Sequence, residues 1–345
     1  MLELAPALAG STEPFVAATV VSVRGSAPRQ PGASLVVTAD GTMLGNVSGG
    51  CVDAEVYQAC QEMLAGDGTP RLMRFGYSDA DGLGAGLTCG GTIELLLRRY
   101  DLGAEPDLAA ALAAAARDEP VAVSTVVRGP DVGRVIVAGV VADAADESGT
   151  LVERHEPAPR MLIFGAIDHA AALAQAGTFL GYRVTVCDAR ATFATAARFP
   201  HAAEVVVDWP HRYLAGQRVD ARTAICVLTH DPRFDVPLLT AALRLPVAYV
   251  GAMGSRRTHT DRLARLRAAG LTDAELDRLH SPIGLDIGAR TSPEIALSIA
   301  AEIVAQRRGG AGLPLRGGAG LPLRGGVPVH RLDHGVGIFD GQGTR

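Results

Sequence analysis

Lysine is absent from this sequence, and all 32 of its basic residues are arginine. A chain without lysine cannot provide the phosphate-binding lysine of a P-loop or form a Schiff base, so two large classes of enzyme are excluded. Aromatic residues are also scarce, at 4% of 345 residues, whereas hydrophobic residues make up 48%. The core must therefore be built mainly from Ala, Val, Leu and Ile.

Long hydrophobic runs and blocks of like charge are also missing. No run approaches the roughly 20 apolar residues that a membrane-spanning helix needs, and the opening MLELAPALAGSTE lacks the basic start of a signal peptide. With a net charge of −5, neither nucleic acid nor a membrane is an expected partner. Five scattered cysteines do not make the disulfide framework of a secreted protein. The sequence predicts a soluble, cytoplasmic protein with reduced thiols.

The first part of the chain has the signals of an α+β domain, including a hairpin turn at Asp40-Gly41. Helical spacing is seen at 51–66 and 107–117. Strands are expected at 15–23, 33–47, 71–77 and 92–100, and three more, at 121–127, 134–141 and near 150, are expected to continue the same sheet.

From residue 160 onward, short buried strands alternate with segments able to form helices. This alternation is typical of an α/β fold with a doubly wound parallel sheet. We therefore predict an N-terminal α+β domain at 1–157 and a Rossmann-like domain at 158–308. Residues 309–345, which carry GGAGLPLR twice in tandem, are expected to form a flexible Gly-rich tail.

The start of the second domain resembles a dinucleotide-binding unit, in which an acidic residue follows the first glycine by about 20 positions. Asp188 lies 23 positions after Gly165. However, Ile167 stands where a second glycine would let the backbone approach a pyrophosphate, and Asp168 adds a like charge. We therefore predict a Rossmann-like fold without ordinary NAD binding.

Two glycine-flanked cysteines are the candidate thiol site. The motif SGGC (48–51) is expected to place Cys51 in the first turn of a helix, where the helix dipole favours the thiolate. In TCGG (88–91), Cys89 is expected in a glycine-rich loop close to a ligand. The alternative is that both are small core residues, as is expected for Cys60, Cys187 and Cys226. The predicted binding glycines beside the two thiols are Gly49, Gly50 and Gly90.

Two loops have the composition of anion sites. RGSAPRQPGA (24–33) offers Arg24, Ser26 and Arg29 for charge-assisted hydrogen bonds, or else is an ordinary solvated turn. In YVGAMGSRRTH (249–259), the residues expected to capture an anion at a helix start are Gly254, Ser255 and Arg256. Alternatively, Ser255 is only a helix cap.

For two further segments, a structural role such as helix capping is favoured over a catalytic or binding role. LTHD (228–231) places His230 and Asp231 at the carboxyl edge of the sheet, and a loop-orienting or capping role is favoured over acid–base work. The run Thr291-Ser292-Pro293-Glu294 is a helix start and needs no function.

Taken in order, these motifs resemble the XdhC/CoxI family of accessory proteins. The resemblance covers roughly residues 15 to 305 and is carried by GSAPRQPGA, SGGCVDAEV, TCGG, VTVCDAR, RFP, LTHD, YVGAMGSRR and PIGLDIGARTSPEIA. Family members have a cysteine-bearing N-terminal domain and a Rossmann-like C-terminal domain. They bind molybdenum cofactor, promote its sulfuration with a cysteine desulfurase, and deliver it to xanthine dehydrogenase-type or CO dehydrogenase-type hydroxylases.

The resemblance implies a maturation chaperone that binds molybdenum cofactor transiently, more an accessory protein than an enzyme. It implies two partners, a molybdenum hydroxylase client and a cysteine desulfurase, and leaves a homodimer open. It places Cys51 and Cys89 on the family's cysteine motifs. Many relatives resemble Gly-Ala-Gly-His where this chain has Gly165-Ala166-Ile167-Asp168, so a ligand role of that loop is not carried over from the family. Two alternatives remain, an NAD(P)-dependent oxidoreductase and an assembly scaffold without a small ligand.

Overall fold

The structure is a computed structural model that describes residues 1–76, 91–138 and 149–314. The chain divides into two compact units, with the division after Pro157. Across the described residues, no helix is both long enough and apolar enough to span a membrane.

The first unit is built mostly from strands. Its elements are a 3-10 turn (Leu2–Leu4), α1 (Ala5–Leu8), β1 (Phe15–Arg24), β2 (Ser34–Val37), β3 (Met43–Gly45), α2 (Asp53–Ala65), β4 (Arg71–Phe75), β5 (Thr92–Tyr100), α3 (Pro106–Ala116), β6 (Val121–Val126), β7 (Val135–Ala138) and β8 (Thr150–His155).

The central sheet of this unit is antiparallel, in the order β3-β2-β1-β5-β4, and the predicted hairpin joins β2 to β3. Successive side chains of a strand point to opposite faces. On β1, Val16 and Ala18 pack in the core that contains residues of α2, whereas Phe15 and Ala17 pack in the core that contains residues of α1 and α3. Both faces of β1 are thus buried, which explains its nearly unbroken apolar sequence.

The expectation that the strands after residue 120 continue this sheet is wrong. Strands β6, β7 and β8 form a separate three-stranded sheet in the order β7-β6-β8. Strand β6 is paired along both edges, with β7 on one side and β8 on the other. It therefore has no edge left for pairing with the larger sheet.

The second unit alternates strands and helices. Its elements are β9 (Arg160–Phe164), α4 (Asp168–Phe179), β10 (Arg183–Asp188), a 3-10 turn (Ala196–Arg198), β11 (Glu204–Val207), α5 (Pro210–Ala215), β12 (Ala224–Val227), α6 (Pro232–Ala242), β13 (Tyr249–Ala252), α7 (Arg256–Ala268), α8 (Asp273–Leu276), β14 (Leu279–His280) and α9 (Ser292–Arg308).

The sheet of the second unit confirms the predicted doubly wound fold. Its pairings are all parallel, in the order β11-β10-β9-β12-β13-β14. Helices α4 and α9 cover one face, and α5, α6 and α7 cover the other. The chain reverses its winding direction between β9 and β12, and in open α/β sheets this switch point opens the ligand crevice. Helix α9 begins at the predicted position, with a capping box formed by Thr291 and Glu294.

Candidate functional site

The SGGC turn of the first unit is organised by a buried carboxylate. Asp53, the first residue of α2, accepts hydrogen bonds from the backbone amides of Val47, Ser48 and Gly50 at 2.9, 3.2 and 2.5 Å. The hydroxyl oxygen of Ser48 accepts from the amide of Val52 at 2.9 Å. A carboxylate that binds several backbone amides fixes the path of the chain. The turn is therefore held from inside by its own residues.

Cys51 does not lie in the first turn of α2, so that part of the prediction is wrong. The helix begins at Asp53, its N-cap is Val52, and Cys51 precedes the cap. Because Asp53 binds the amides of the turn, residues 47–52 are folded back around its carboxylate instead of continuing the helix. Cys51 is half-buried, and its side chain packs on the edge of the core that α2 shares with β1 and β5.

Three of the sequence motifs converge around this turn. A Cβ placed on Gly49 would come within 3.9 Å of the Cβ of Pro28, so the loop after β1 passes beside SGGC. A Cβ on Gly91 would collide with the carbonyl oxygen of Ser26 and lie 3.0 Å from that of Arg24. The last glycine of TCGG is thus packed directly on the same loop, which requires a residue without a side chain. Cys89 and Gly90 lie outside the described residues.

The residues of the first unit that were predicted to bind an anion lie near this turn, but they differ in exposure and in hydrogen bonding. Arg24 and Ser26 are exposed. Arg29 donates to the carboxylate of Glu3 at 3.1 Å, while its Nε is buried with no hydrogen-bond partner in the described part of the chain. Gly49 and Gly50 are exposed and have positive φ angles of 68° and 113°, which L side chains rarely adopt. The surface of the turn is therefore backbone, beside a half-buried thiol.

The remaining described cysteines are core residues, as predicted. Cys60, Cys187 and Cys226 are at most 1% exposed. Burial raises the pKa of the Cys60 thiol to about 12 and that of the Cys187 thiol to about 12. These thiols are packing groups of the two units.

The crevice at the switch point of the second unit contains the acidic residue Asp188, which is bound by other residues of the chain. Burial opposes ionisation of Asp188, but hydrogen bonds from Arg190 and from the amide of Ala166 hold the pKa of this carboxyl below its ordinary value. Arg190 donates through Nε and Nη2 at 2.9 and 2.7 Å, and the amide of Ala166 donates at 2.8 Å. The carboxylate that would bind a ribose in a dinucleotide site is thus occupied by the chain itself.

The loop that follows β9 is closed by a second set of contacts. Ile167 is half-buried and packs against the core beneath α4. Arg198 donates to the carbonyl oxygen of Ala166 at 3.1 Å and to the carboxylate of Asp168 at 3.1 Å. The segment that follows β10 is therefore tied to the loop in which a pyrophosphate would lie.

The turn after β13 is a capped helix start. The hydroxyl oxygen of Ser255, the N-cap of α7, accepts from the amide of Thr258 at 3.1 Å. A Cβ on Gly254 would lie 3.1 Å from the side chain of Thr258, so the turn is tight. Arg256 is exposed at the first helical position. Ser255 is thus a cap, and an anion at this turn would be bound by Arg256 and backbone amides. Asp231 likewise caps α6 by accepting from the amide of Arg233.

A buried arginine that none of the sequence motifs indicates joins the loops at the carboxyl edge of the sheet. Arg262 of α7 is 4% exposed. It donates to the hydroxyl of Ser281 at 2.9 Å, the carbonyl oxygen of Met253 at 2.7 Å and the carboxylate of Asp235 at 3.1 Å. The hydroxyl of Thr229 donates to the other oxygen of Asp235. One guanidinium therefore holds the segments that follow β12, β13 and β14.

The environment of Asp235 reflects this burial. Burial raises the pKa of the Asp235 carboxyl, although the hydrogen bonds from Thr229 and Arg262 act in the opposite direction. The signal in the sequence was a charged residue on the apolar stripe of each helix. Asp235 precedes Leu238 and Leu239, and Arg262 lies four residues before Leu266, all of which are buried. Charged residues in such positions are rarely buried without a partner.

Metal-ligand clusters are not seen in the described part of the chain. Among residues 1–76, 91–138 and 149–314, no group of three or more His, Cys, Asp and Glu side chains is arranged to bind a metal ion.

Parts of both units match models of known protein families. The XdhC Rossmann domain matches residues 161–303, and the XdhC and CoxI family matches residues 8–76. A molybdenum cofactor insertion chaperone, PaoD of Escherichia coli K12, is 31% identical over 292 residues, which is 85% of this chain and 83% of the relative.

Two Bacillus proteins extend the comparison. A probable xanthine dehydrogenase subunit from Bacillus subtilis 168 is 28% identical over 330 residues, covering 88% of this chain and 96% of the relative. A crystal structure from Bacillus halodurans, described as a xanthine dehydrogenase, matches with a TM-score of 0.73 and 27% identity. The match covers 89% of this chain and 95% of that one.

Proposed function

Because this chain belongs to the XdhC/CoxI family, we propose that it binds molybdenum cofactor as a cargo and supplies it to a molybdenum hydroxylase. The observation that carries the proposal is the 31% identity to a molybdenum cofactor insertion chaperone over 83% of that relative's length. In this role the chain shields a labile ligand, supports its sulfuration with a cysteine desulfurase, and releases it to a xanthine dehydrogenase-type or CO dehydrogenase-type client.

The first unit offers a site with the right donors for the metal end of this cargo. Thiolates are soft ligands that suit molybdenum–sulfur chemistry, and Cys51 is a half-buried thiol beside the exposed backbone of Gly49 and Gly50. The 24–33 loop passes beside this turn at Pro28, and Gly91 packs on that loop at Ser26, which supports one binding surface. We assign Cys51 the role of a transient sulfur ligand, and Cys89 the role of a second one.

The second unit, taken by itself, offers donors for an anion. Arg256 is exposed at the start of α7, where the helix dipole favours negative charge. A charged hydrogen bond contributes roughly 1.5–3 kcal/mol. Loss of Arg256 should therefore weaken cargo binding on the order of tenfold.

The most direct experiment is mass spectrometry of small molecules released from the protein after anaerobic purification from a host that makes molybdenum cofactor. Recovery of molybdopterin supports the proposal, and its absence from wild-type protein contradicts it. Cys51→Ala, Cys89→Ala and Arg256→Ala should each retain less cofactor. Cys60→Ala is the matched control for the thiols, because Cys60 is a buried core residue.

Delivery is tested by co-expression with a molybdenum hydroxylase. The sulfurated cofactor content and activity of the client should fall with Cys51→Ala and with Cys89→Ala but remain high with Cys60→Ala. Full activation of the client by both site variants would remove the thiols from the mechanism.

A further inference from the structure

The second unit contains a cavity that lies away from the dinucleotide crevice. It has a volume of about 110 Å³ and lies between the start of α6 and the first turns of α7. Its polar lining comes from His230, Thr258, Asp261, Arg262 and Arg265, together with the carboxylate of Asp235. The cavity thus lies at the carboxyl edge of β12 and β13, one strand beyond the switch point.

The two acidic residues of this lining differ in what they can accept. Both oxygens of Asp235 are engaged, one by the hydroxyl of Thr229 and the other by Arg262. Asp261 is exposed and lies four residues before Arg265 on the same helix. Asp235 is therefore neutralised inside the protein, and a single carboxylate remains at the rim.

The cationic side chains leave hydrogen-bond donors for a ligand. A guanidinium has five N–H groups, and Arg262 uses three of them on Ser281, Met253 and Asp235. No hydrogen bond from the other two to a described residue is seen, and Arg262 lines the cavity. Arg265, on the next turn of the helix, adds a second, exposed guanidinium.

Two helix starts add positive potential at the same place. Helix α6 begins at Pro232 and α7 begins at Arg256, and residues from the first turns of both helices line the cavity. Each helix N-terminus is equivalent to roughly half a positive charge. The donor side chains of the cavity are His230, which precedes α6, and Thr258, Arg262 and Arg265 of α7. A tetrahedral oxyanion accepts from several directions, whereas a carboxylate accepts within one plane.

We propose that the cavity between α6 and α7 binds a phosphate group. The inference deepens the proposed function by adding a phosphate contact in this partly open cavity to the exposed anion contact assigned to Arg256. It rests on that function only for the identity of the compound that carries the phosphate.

The test is calorimetric titration of inorganic phosphate into the full chain at low ionic strength. We expect saturable binding by the wild type and roughly tenfold weaker binding by Arg265→Gln, because a charged hydrogen bond is lost. The matched control is Arg267→Gln, which removes the same charge from the same helix at a residue paired with Asp273 outside the cavity. This control should bind phosphate as the wild type does.

Failure of the inference and failure of the proposed function are distinguishable. No phosphate binding by the wild type, or an equal loss in Arg265→Gln and Arg267→Gln, overturns the phosphate site. Acetate that binds as tightly as phosphate also overturns it. Because the probe is inorganic phosphate, a wild-type protein that binds phosphate but retains no molybdenum cofactor supports the phosphate site and counts against the proposed function alone.

Discussion

Replacement of Asp53 by asparagine tests whether one carboxylate holds the SGGC turn. Asp53 is 8% exposed and accepts from three backbone amides of residues 47–50. Asparagine keeps the shape of the side chain but presents an NH₂ group in place of one oxygen. In Asp53→Asn, a donor would therefore face a backbone N–H donor, either that of Gly50 or those of Val47 and Ser48.

The expected cost follows from these contacts. A hydrogen bond to a charged group contributes about 1.5–3 kcal/mol, and a buried amide left unpaired costs about 1–3 kcal/mol. Removal of a negative charge from the first helical turn also costs about 0.3–1 kcal/mol through the helix dipole. We therefore expect Asp53→Asn to destabilise the turn by at least about 2 kcal/mol beyond the dipole effect.

Hydrogen exchange measured by mass spectrometry reports on this turn directly. A loss of about 2 kcal/mol corresponds to roughly 30-fold faster exchange of peptides that cover residues 44–54. Glu55→Gln is the matched control, since Glu55 is an exposed acidic residue in the same helical turn. It loses the same charge without losing the three amide contacts.

Equal exchange rates in Asp53→Asn and Glu55→Gln would refute the reasoning, because the carboxylate would then act only through the helix dipole. Faster exchange confined to Asp53→Asn should be accompanied by lower cofactor retention, since Cys51 directly follows Gly50, whose amide Asp53 binds.

Three further predictions concern the two units separately. Gly91→Ala should destabilise the first unit by about 1–3 kcal/mol, because the added Cβ would collide with the carbonyl oxygen of Ser26. The loss is measured as lower protection of β1 and β5 from hydrogen exchange. Gly10→Ala, whose added Cβ would meet no atom within 4 Å, should be neutral. The pKa of Asp188 lies below its ordinary value of 3.8 in the folded protein, so its ionised form stabilises the fold above that value, and this contribution is lost as the pH falls through the lowered pKa. In urea unfolding followed by tryptophan fluorescence, acid should therefore destabilise the wild type more steeply than Asp188→Asn. Calorimetric titration should give no useful affinity for NAD(H) or NADP(H), and tight binding of either would favour an oxidoreductase.

The second unit is the part of the fold that its sequence predicts best. Parallel strands buried on both faces produce continuous apolar runs, and the runs that end at Phe164 and Val227 each form a central strand. The last helix was equally clear, because Thr291 and Glu294 make a capping box that depends only on local sequence.

Long-range pairing explains what could not be predicted in the first unit. The strands that form the separate three-stranded sheet have ordinary strand sequences, and nothing local shows which edge they pair with. The start of α2 was predicted wrongly for a related reason, because a tertiary contact overrides the local pattern. The apolar spacing of Val52 and Val56 extends the helical pattern back to Cys51, but the carboxylate of Asp53 binds the preceding amides and ends the pattern there.

The candidate sites show a related limit, because acidic residues in binding loops are used by the loops themselves. Asp53 binds the SGGC turn, Asp188 binds Arg190 and the loop after β9, and Asp235 binds Arg262 and Thr229. Of the three, only Asp188 is a candidate ligand contact in the sequence, and all three are satisfied within their own units.

This internal use of carboxylates changes the chemistry that the loops offer to a ligand. Once an aspartate is bound by amides or by an arginine, its negative charge no longer repels an anion with full strength, because the opposite charge or dipole lies within hydrogen-bond distance. The first unit then presents the half-buried thiol of Cys51 and the exposed backbone of its turn, and the second unit presents the guanidinium groups of Arg256 and Arg265. A soft sulfur donor suits a metal–sulfur centre, and guanidinium groups suit an anion, so each unit by itself offers a chemistry that the proposed cargo can use.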